Sequence, residues 1–183
     1  MSLTLAIDTA TEYLVLGLDS PTLQLERQIH LGRTHAEHIA LEVQTLFNDA
    51  ELEFRADQIA LGLGPGSYTG LRVGASYALG LARAWNVPVL GVSTLEGMAA
   101  GLDGKVAVTL EARKGNVYGG IYRVRAGEVV EVLLEEDKFE RSHFLERVSE
   151  LEAILLEADA PSGLGLIRIA RSRGQENWKV KYL

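Results

Sequence analysis

The sequence predicts a two-lobe α/β fold, and three observations carry that prediction. Strand-length apolar runs and helical stretches follow the order β-β-β-α-β-α, and this order occurs twice along the 183 residues. The segment Gly64-Pro65-Gly66-Ser67-Tyr68-Thr69-Gly70-Leu71-Arg72 joins an apolar run to a helical stretch, a junction whose backbone N–H groups can point at an anion. The composition is that of a globular chain, 47% apolar and 23% charged, and at this length roughly 70% of the unfolded surface can be buried.

The first copy opens with Leu3 to Asp8, an apolar run that reads as a buried strand. Tyr13 to Asp19 is a second strand. Thr22 to His30 is a third, with Leu23, Leu25 and Arg27 alternating, and Asp19-Ser20-Pro21 supplies turn chemistry between them. Thr34 to Asn48 is helical, because Ala36, Ile39, Ala40, Val43, Leu46 and Phe47 recur at 3.6-residue spacing. A strand at Gln58 to Leu63, a helix at Thr69 to Trp85, a strand at Val87 to Val92 and a short helix at Ser93 to Gly101 follow.

The second copy begins after Asp103-Gly104 with a strand at Lys105 to Leu110. Val117 to Val124 and Glu128 to Leu134 form a hairpin across Arg125-Ala126-Gly127. Lys138 to Leu151 is expected to be a helix with Phe139, Phe144, Leu145 and Val148 on one side. Ala153 to Leu156 reads as a strand and Gly163 to Arg173 as a helix. The boundary is placed between residues 1–102 and a shorter lobe, 103–183.

Lys and Arg number 18 and Asp and Glu 25, so the net charge is −7. An acidic chain has little intrinsic grip on nucleic acid, whose binding rests on phosphate neutralisation. The chain has no cysteine, which excludes disulfides and thiolate chemistry. Met1-Ser2-Leu3-Thr4 has neither the charged start nor the apolar stretch of an export signal, and no apolar run reaches membrane-spanning length. A cytoplasmic chain with no membrane contact is expected.

Asp8-Thr9-Ala10-Thr11 ends the first strand of copy one, and Glu111-Ala112-Arg113-Lys114-Gly115 ends the first strand of copy two. The duplicated order resembles the actin/Hsp70/sugar-kinase (ASKHA) superfamily of tandem ribonuclease-H-like lobes. That resemblance implies that the two turns face each other across a nucleotide cleft. The superfamily's glycine is replaced by Ala10, and the second acid is the longer Glu111; both changes crowd the phosphate position. Two readings stay open. Asp8 caps a turn while Glu111 faces solvent, or a vestigial nucleotide or anion site survives at Asp8, Thr9, Thr11, Gly64, Gly66, Ser67, Thr69 and Glu111. The glycine segment is equally open: an anion site capped by Ser67 or Thr69, or a tight connection that needs glycine for positive φ.

Four segments carry a closer resemblance: Ala6-Ile7-Asp8-Thr9-Ala10-Thr11, Gly64 to Gly74, Gly91-Val92-Ser93-Thr94-Leu95, and Glu111 to Tyr118. Through them the first two thirds of the chain is similar to the TsaB (YeaZ) family. These are non-catalytic subunits of the bacterial machinery that makes threonylcarbamoyladenosine in tRNA, and inactive paralogues of the transferase TsaD. The M22 glycoprotease label of the superfamily is not credited as an activity. TsaD-like subunits carry a metal-binding H-x-x-x-H where this chain has Thr94-Leu95-Glu96-Gly97-Met98, and Met98 is a poor ligand for iron or zinc. No catalytic or metal-binding residue is expected.

Other motifs are weaker. His35-Ala36-Glu37-His38 has i, i+3 spacing but is not H-E-x-x-H; His38 and Glu37 are expected on the solvated face with His35 at its border. Ser67 is not in a G-x-S-x-G elbow. Gly70, Gly74, Ala75, Ala78 and Ala82 line one side of the second helix, and either the chain's own sheet and first helix or a partner helix fills that space. The resemblance implies the partner: a TsaD-type transferase docking on the two helices, with Gly70, Gly74, Ala78, Ala82 and the off-stripe Leu41 and Leu79 as contacts. It also implies a TsaE-type ATPase as third member, tRNA approached indirectly, a homodimer when the chain is alone, and ATP or ADP only in the assembled complex. The rival is an active ATP-dependent or metallopeptidase-like enzyme of the same fold. Arg168, Arg171, Arg173, Lys179 and Lys181 make the end of the chain basic, and Lys181-Tyr182-Leu183 resembles the family's Tyr-Leu-Arg ending. The chain is short for the family, with the missing stretch expected near Ala160 to Leu164.

Overall fold

A computed structural model describes residues 2–180. Two sheets organise them. The first has the order β3-β2-β1-β4-β5, built from β1 (Thr4–Asp8), β2 (Tyr13–Ser20), β3 (Leu23–His30), β4 (Gln58–Gly62) and β5 (Val89–Val92). β1 is central, antiparallel to β2 and parallel to β4, with Ile7 opposite Leu16 on one side and Leu61 on the other. The second sheet has the order β8-β7-β6-β9, from β6 (Gly104–Glu111), β7 (Asn116–Arg125), β8 (Glu128–Glu140) and β9 (Ile154–Glu157). It repeats the first arrangement without a fifth strand. The mixed α/β class, two sheets of duplicated order, is the class the sequence predicts.

Strand alternation divides the interior. Leu5 and Ile7, Leu14, Leu16 and Leu18, and Ile59 and Leu61 face α1 (His35–Asp49) and α2 (Tyr68–Trp85) in one core with Ile39, Val43, Phe47 and Trp85. The intervening Ala6, Val15 and Ala60 face a second core between the sheets, with Val106, Val108, Tyr122 and α3 (Thr94–Ala99). A third, smaller core holds α4 (Arg141–Glu150) against Ala107, Val117 and Ile121 through Phe144 and Val148.

α5 (Gly163–Arg173) follows the second sheet in sequence but packs on the first. Leu166, Ile167, Ile169 and Ala170 fill the core between the sheets. Two glycine pairs permit this. A Cβ on Gly17 would lie 2.8 Å from the Gly163 carbonyl carbon, and a Cβ on Gly165 would lie 2.5 Å from the Gly97 oxygen.

Three expectations are corrected. The helix expected from Lys138 starts at Arg141. β7 runs back to Asn116, and its ladder holds Phe139 extended opposite Val117. Ala36 and Ala40 are exposed; the buried stripe of α1 is His35, Ile39, Val43, Leu46 and Phe47. His35 takes the first place in that stripe, so it is buried, not at the border of the wet face.

Candidate functional site

Asp8 ends β1 with no exposed surface. Its Oδ1 accepts from the Ala10 amide at 2.7 Å, and its Oδ2 accepts from the Thr94 hydroxyl at 2.6 Å. Thr94 in turn accepts from the Gly64 amide at 3.0 Å and donates its own amide to the Gly64 carbonyl at 3.0 Å. Desolvation raises the Asp8 carboxyl to about 6, against the opposing pull of the Thr94 and Ala10 hydrogen bonds. The carboxylate lies against Gly62, where a Cβ would stand 1.8 Å from Oδ2. Asp8 therefore ties the β1 turn, the glycine segment and the start of α3 together, and it points away from the cleft.

The glycine segment is braced by the same turn. Gly64 has φ 89°, the left-handed backbone that glycine adopts freely. The Ser67 amide donates to the Ala10 carbonyl at 2.7 Å, and a Cβ on Gly66 would lie 2.2 Å from that oxygen. Ser67, not Thr69, caps α2, its hydroxyl accepting from the Gly70 amide at 3.2 Å. The amides of Gly64, Ser67 and Gly70 thus already have partners inside the chain. Thr9 is buried, and its hydroxyl donates to the Gly70 carbonyl at 2.7 Å.

An open cleft of about 820 Å³ lies between the two strand-ending turns, lined by Ala10, Thr11, Gly66, Ser67, Thr69 and Gly70 on one side and Glu111, Arg113 and Tyr118 on the other. Of the residues predicted for an anion site, Thr11, Gly66, Ser67, Thr69 and Glu111 line this cleft, whereas Asp8, Thr9 and Gly64 stand behind it. Glu111 is exposed. Arg33 and Arg113 supply positive charge, and Glu12, Glu111 and Asp159 oppose it. His35 also borders the cleft, and its Nε2 is buried without a hydrogen-bond partner among the described residues. Thr94 and Met98, at the H-x-x-x-H positions, are both buried, Thr94 on Asp8 and Met98 in the core between the sheets.

The small-residue side of α2 faces inward. A Cβ on Gly70 would lie 2.1 Å from the Thr9 carbonyl oxygen, and one on Gly74 would lie 2.3 Å from the Thr9 hydroxyl. Ala78 and Ala82 are buried in the first core. These four residues are corrected from partner contacts to internal packing: the β1 turn and the chain's own core fill the space. Leu41 and Leu79 do lie outside, 62% and 50% exposed. Ala36, Ala40, Ser76, Gly80 and Ala84 are exposed on the same two helices. At Gly80 an added Cβ would meet nothing within 4 Å among the described residues. Glycine inside a helix costs roughly 1 kcal/mol against alanine, and no contact among the described residues calls for it.

Two features escape any local sequence signal. Between the sheets, Tyr122 OH donates to Glu136 at 2.8 Å, and the Ser93 hydroxyl donates to the same carboxylate. Burial first, then the Glu136 charge, pushes the Tyr122 hydroxyl well above its ordinary range. The basic end is also engaged: Arg171 pairs with Asp19, and Arg173 with Glu96 at 3.4 Å. Lys181-Tyr182-Leu183 lies outside the described residues.

Comparison with known proteins gives a consistent result. A family model described as TsaD, tRNA N6-adenosine threonylcarbamoyltransferase, matches residues 30–156. The tRNA threonylcarbamoyladenosine biosynthesis protein TsaB of Bacillus subtilis (strain 168) is 33% identical over 138 residues, 73% of this chain and 60% of that protein. The TsaB of Escherichia coli (strain K12) is 34% identical over 145 residues, 73% of this chain and 62% of that protein. The chain spans about 60% of the length of these relatives. The solved structure of YeaZ from Pseudomonas aeruginosa matches 100% of this chain and 99% of its own with a TM-score of 0.80 at 27% identity.

Proposed function

The chain belongs to the family of the threonylcarbamoyltransferase TsaD and, within it, resembles TsaB, and from that premise we propose that it is a non-catalytic subunit that holds a TsaD-type transferase through α1 and α2. The observation that supports this most is the exposed α1–α2 face. Leu41 and Leu79 stand out from the apolar stripes, and Gly80 leaves open space for a close backbone. Small residues on both helices let a partner pair pack at short range. Threonylcarbamoyl transfer to the adenosine next to the anticodon is the partner's chemistry. This chain makes no bond: the positions of the metal-binding histidines are filled by Thr94, engaged with Asp8, and Met98, packed in the core.

Nucleotide and a TsaE-type ATPase belong to the assembled complex, and tRNA is met through the partner. A net charge of −7 with Arg171 and Arg173 already paired supports an indirect role at tRNA. No helix among the described residues is long and apolar enough to cross a membrane; the proposed place of work is the cytoplasm, beside tRNA. The proposed lobes are residues 1–102 and 103–183; among the described residues the second sheet has four strands against five in the first, which supports a shorter second lobe. Alone, the chain pairs with a second copy through the same α1–α2 face, so homodimer and heterodimer exclude each other. A ternary species in native mass spectrometry would refute that exclusion.

Reconstitution tests the whole reading. Modified tRNA is measured with a TsaD-type transferase, its ATPase and its adenylate supply, with and without this chain. The expected result is formation only when the chain is present, lost when Leu41→Asp and Leu79→Asp are combined. Full output without the chain, or brisk ATP or peptide hydrolysis by the chain alone, would overturn it.

A further inference from the structure

The segment after α5 returns to the free edge of β5. The Gly91 amide donates to the Gln175 carbonyl at 2.9 Å, and the Gln175 amide donates to the Gly91 carbonyl at 3.1 Å. This is one antiparallel bridge beyond the five-stranded ladder. Three residues on, the Trp178 indole N–H donates to the Val89 carbonyl at 3.1 Å. In a strand, alternate residues present their backbone groups to the same side. Val89 and Gly91 face outward here, and the returning segment satisfies both groups of Gly91 and the carbonyl of Val89. Gly91 is fitted to this cover: a Cβ there would lie 2.5 Å from Trp178 Cβ and 2.6 Å from Leu63 Cδ1. Trp178 and Val180 also pack against the core of the first sheet.

The edges of the sheets differ in how they repel other strands. β3 carries Glu26 and Arg27, and β8 carries Glu128, Glu131, Glu135, Glu136, Asp137 and Glu140. Charge of this kind discourages strand pairing. β9 ends on Glu157, which pairs with Arg141. β5, Val-Leu-Gly-Val, carries no charge at all, and it is the edge that the returning segment covers. An uncharged apolar edge with free N–H and C=O groups is a template for another strand.

We infer that the segment beginning at Gln175 is an edge guard, a strap that stops β5 of one copy from pairing with β5 of another. The strap is held by three backbone or indole bonds and one aromatic contact, so it opens locally before the sheet does. This inference does not depend on the helical docking face.

The test separates the two surfaces. A chain truncated after Gly174 is made in a background carrying Leu41→Asp and Leu79→Asp, which disables pairing through α1 and α2. Molar mass is followed by light scattering as concentration rises. Self-association of the truncated chain, suppressed by a synthetic peptide of residues 175–183, is the expected result. A truncated chain that keeps the mass and thermal midpoint of its full-length background overturns the inference. If truncation prevents folding, Trp178→Ala in the full chain decides it by amide hydrogen exchange. The Gly91 amide should then exchange about tenfold faster or more while the amides of β1 are unchanged. Equal change at β1 and Gly91, or none at Gly91, overturns it.

Discussion

The Thr94 hydroxyl donates to Asp8 Oδ2 at 2.6 Å, joining the end of the first strand to the start of α3 across 86 positions of sequence. The resemblance of the sequence to TsaD-like subunits implies a metal-binding histidine at the position that Thr94 occupies. Here the position serves to hold a buried carboxylate, and through Gly64 it fixes the loop that launches α2.

That carboxylate makes stability depend on pH. Its folded value is raised from 3.8 to about 6 by burial. A raised acid favours folding in its protonated form: the contribution is full below about 3.8 and is lost as pH rises through about 6. A shift of this size corresponds to about 3 kcal/mol between the two limits. Asp8→Asn removes the titration. Thermal unfolding of both chains from pH 4 to pH 7.5 should show the variant gaining on the parent as pH rises; parallel curves would refute the assignment.

Gly74→Ala places a methyl 2.3 Å from the Thr9 hydroxyl, with the β1 turn unable to retreat past Gly70. Overpacking of this kind costs about 1–3 kcal/mol, and chemical denaturation should register it. Gly80→Ala is the contrasting case, because its methyl meets nothing. The isolated chain should gain about 0.5–1 kcal/mol, while affinity for a TsaD-type partner should fall. A variant that gains stability and keeps full affinity would remove Gly80 from the docking face.

Leu41→Asp and Leu79→Asp change exposed positions, so each should move folding stability by less than about 0.5 kcal/mol. Partner capture by immobilised TsaD-type protein should nonetheless be lost. Unfolding of either variant at room temperature would show that these leucines belong to the core.

Tyr122→Phe deletes the hydroxyl that donates to Glu136 between the two sheets. The Glu136 carboxylate keeps the Ser93 hydroxyl, so the cost is that of one charge-assisted hydrogen bond in a part-buried setting, about 1–3 kcal/mol. Differential scanning calorimetry should show one cooperative transition at a lower midpoint. An unchanged midpoint would mean that water replaces the bond without penalty.

The order of elements was readable because buried strands and amphipathic helices impose their own periods. Gly163 to Arg173 is helical over the range expected, and the hairpin turn falls at Arg125-Ala126-Gly127. The start of α4 was misread because Phe139 has the right spacing for a helix face, while the force that holds it extended is the remote strand at Asn116 and Val117. The small stripe on α2 was legible as a close-approach surface, but not what approaches it. Thr9, 61 residues before Gly70, fills that space through a contact that no window on the sequence contains. Gly80 lacks any such contact among the described residues, and a lone glycine in a helix becomes informative only when its surroundings are seen to be empty.

The placement of α5 bears on how the chain is made. Ala6, Val15, Ala60 and Val92 present an apolar plane that α3, the second sheet and the helix at Gly163 to Arg173 cover. Translation delivers the five strands of the first sheet long before that helix leaves the ribosome. The nascent polypeptide therefore carries a partly bare greasy surface until residues 163–173 have emerged, well after the last strand of that sheet is made.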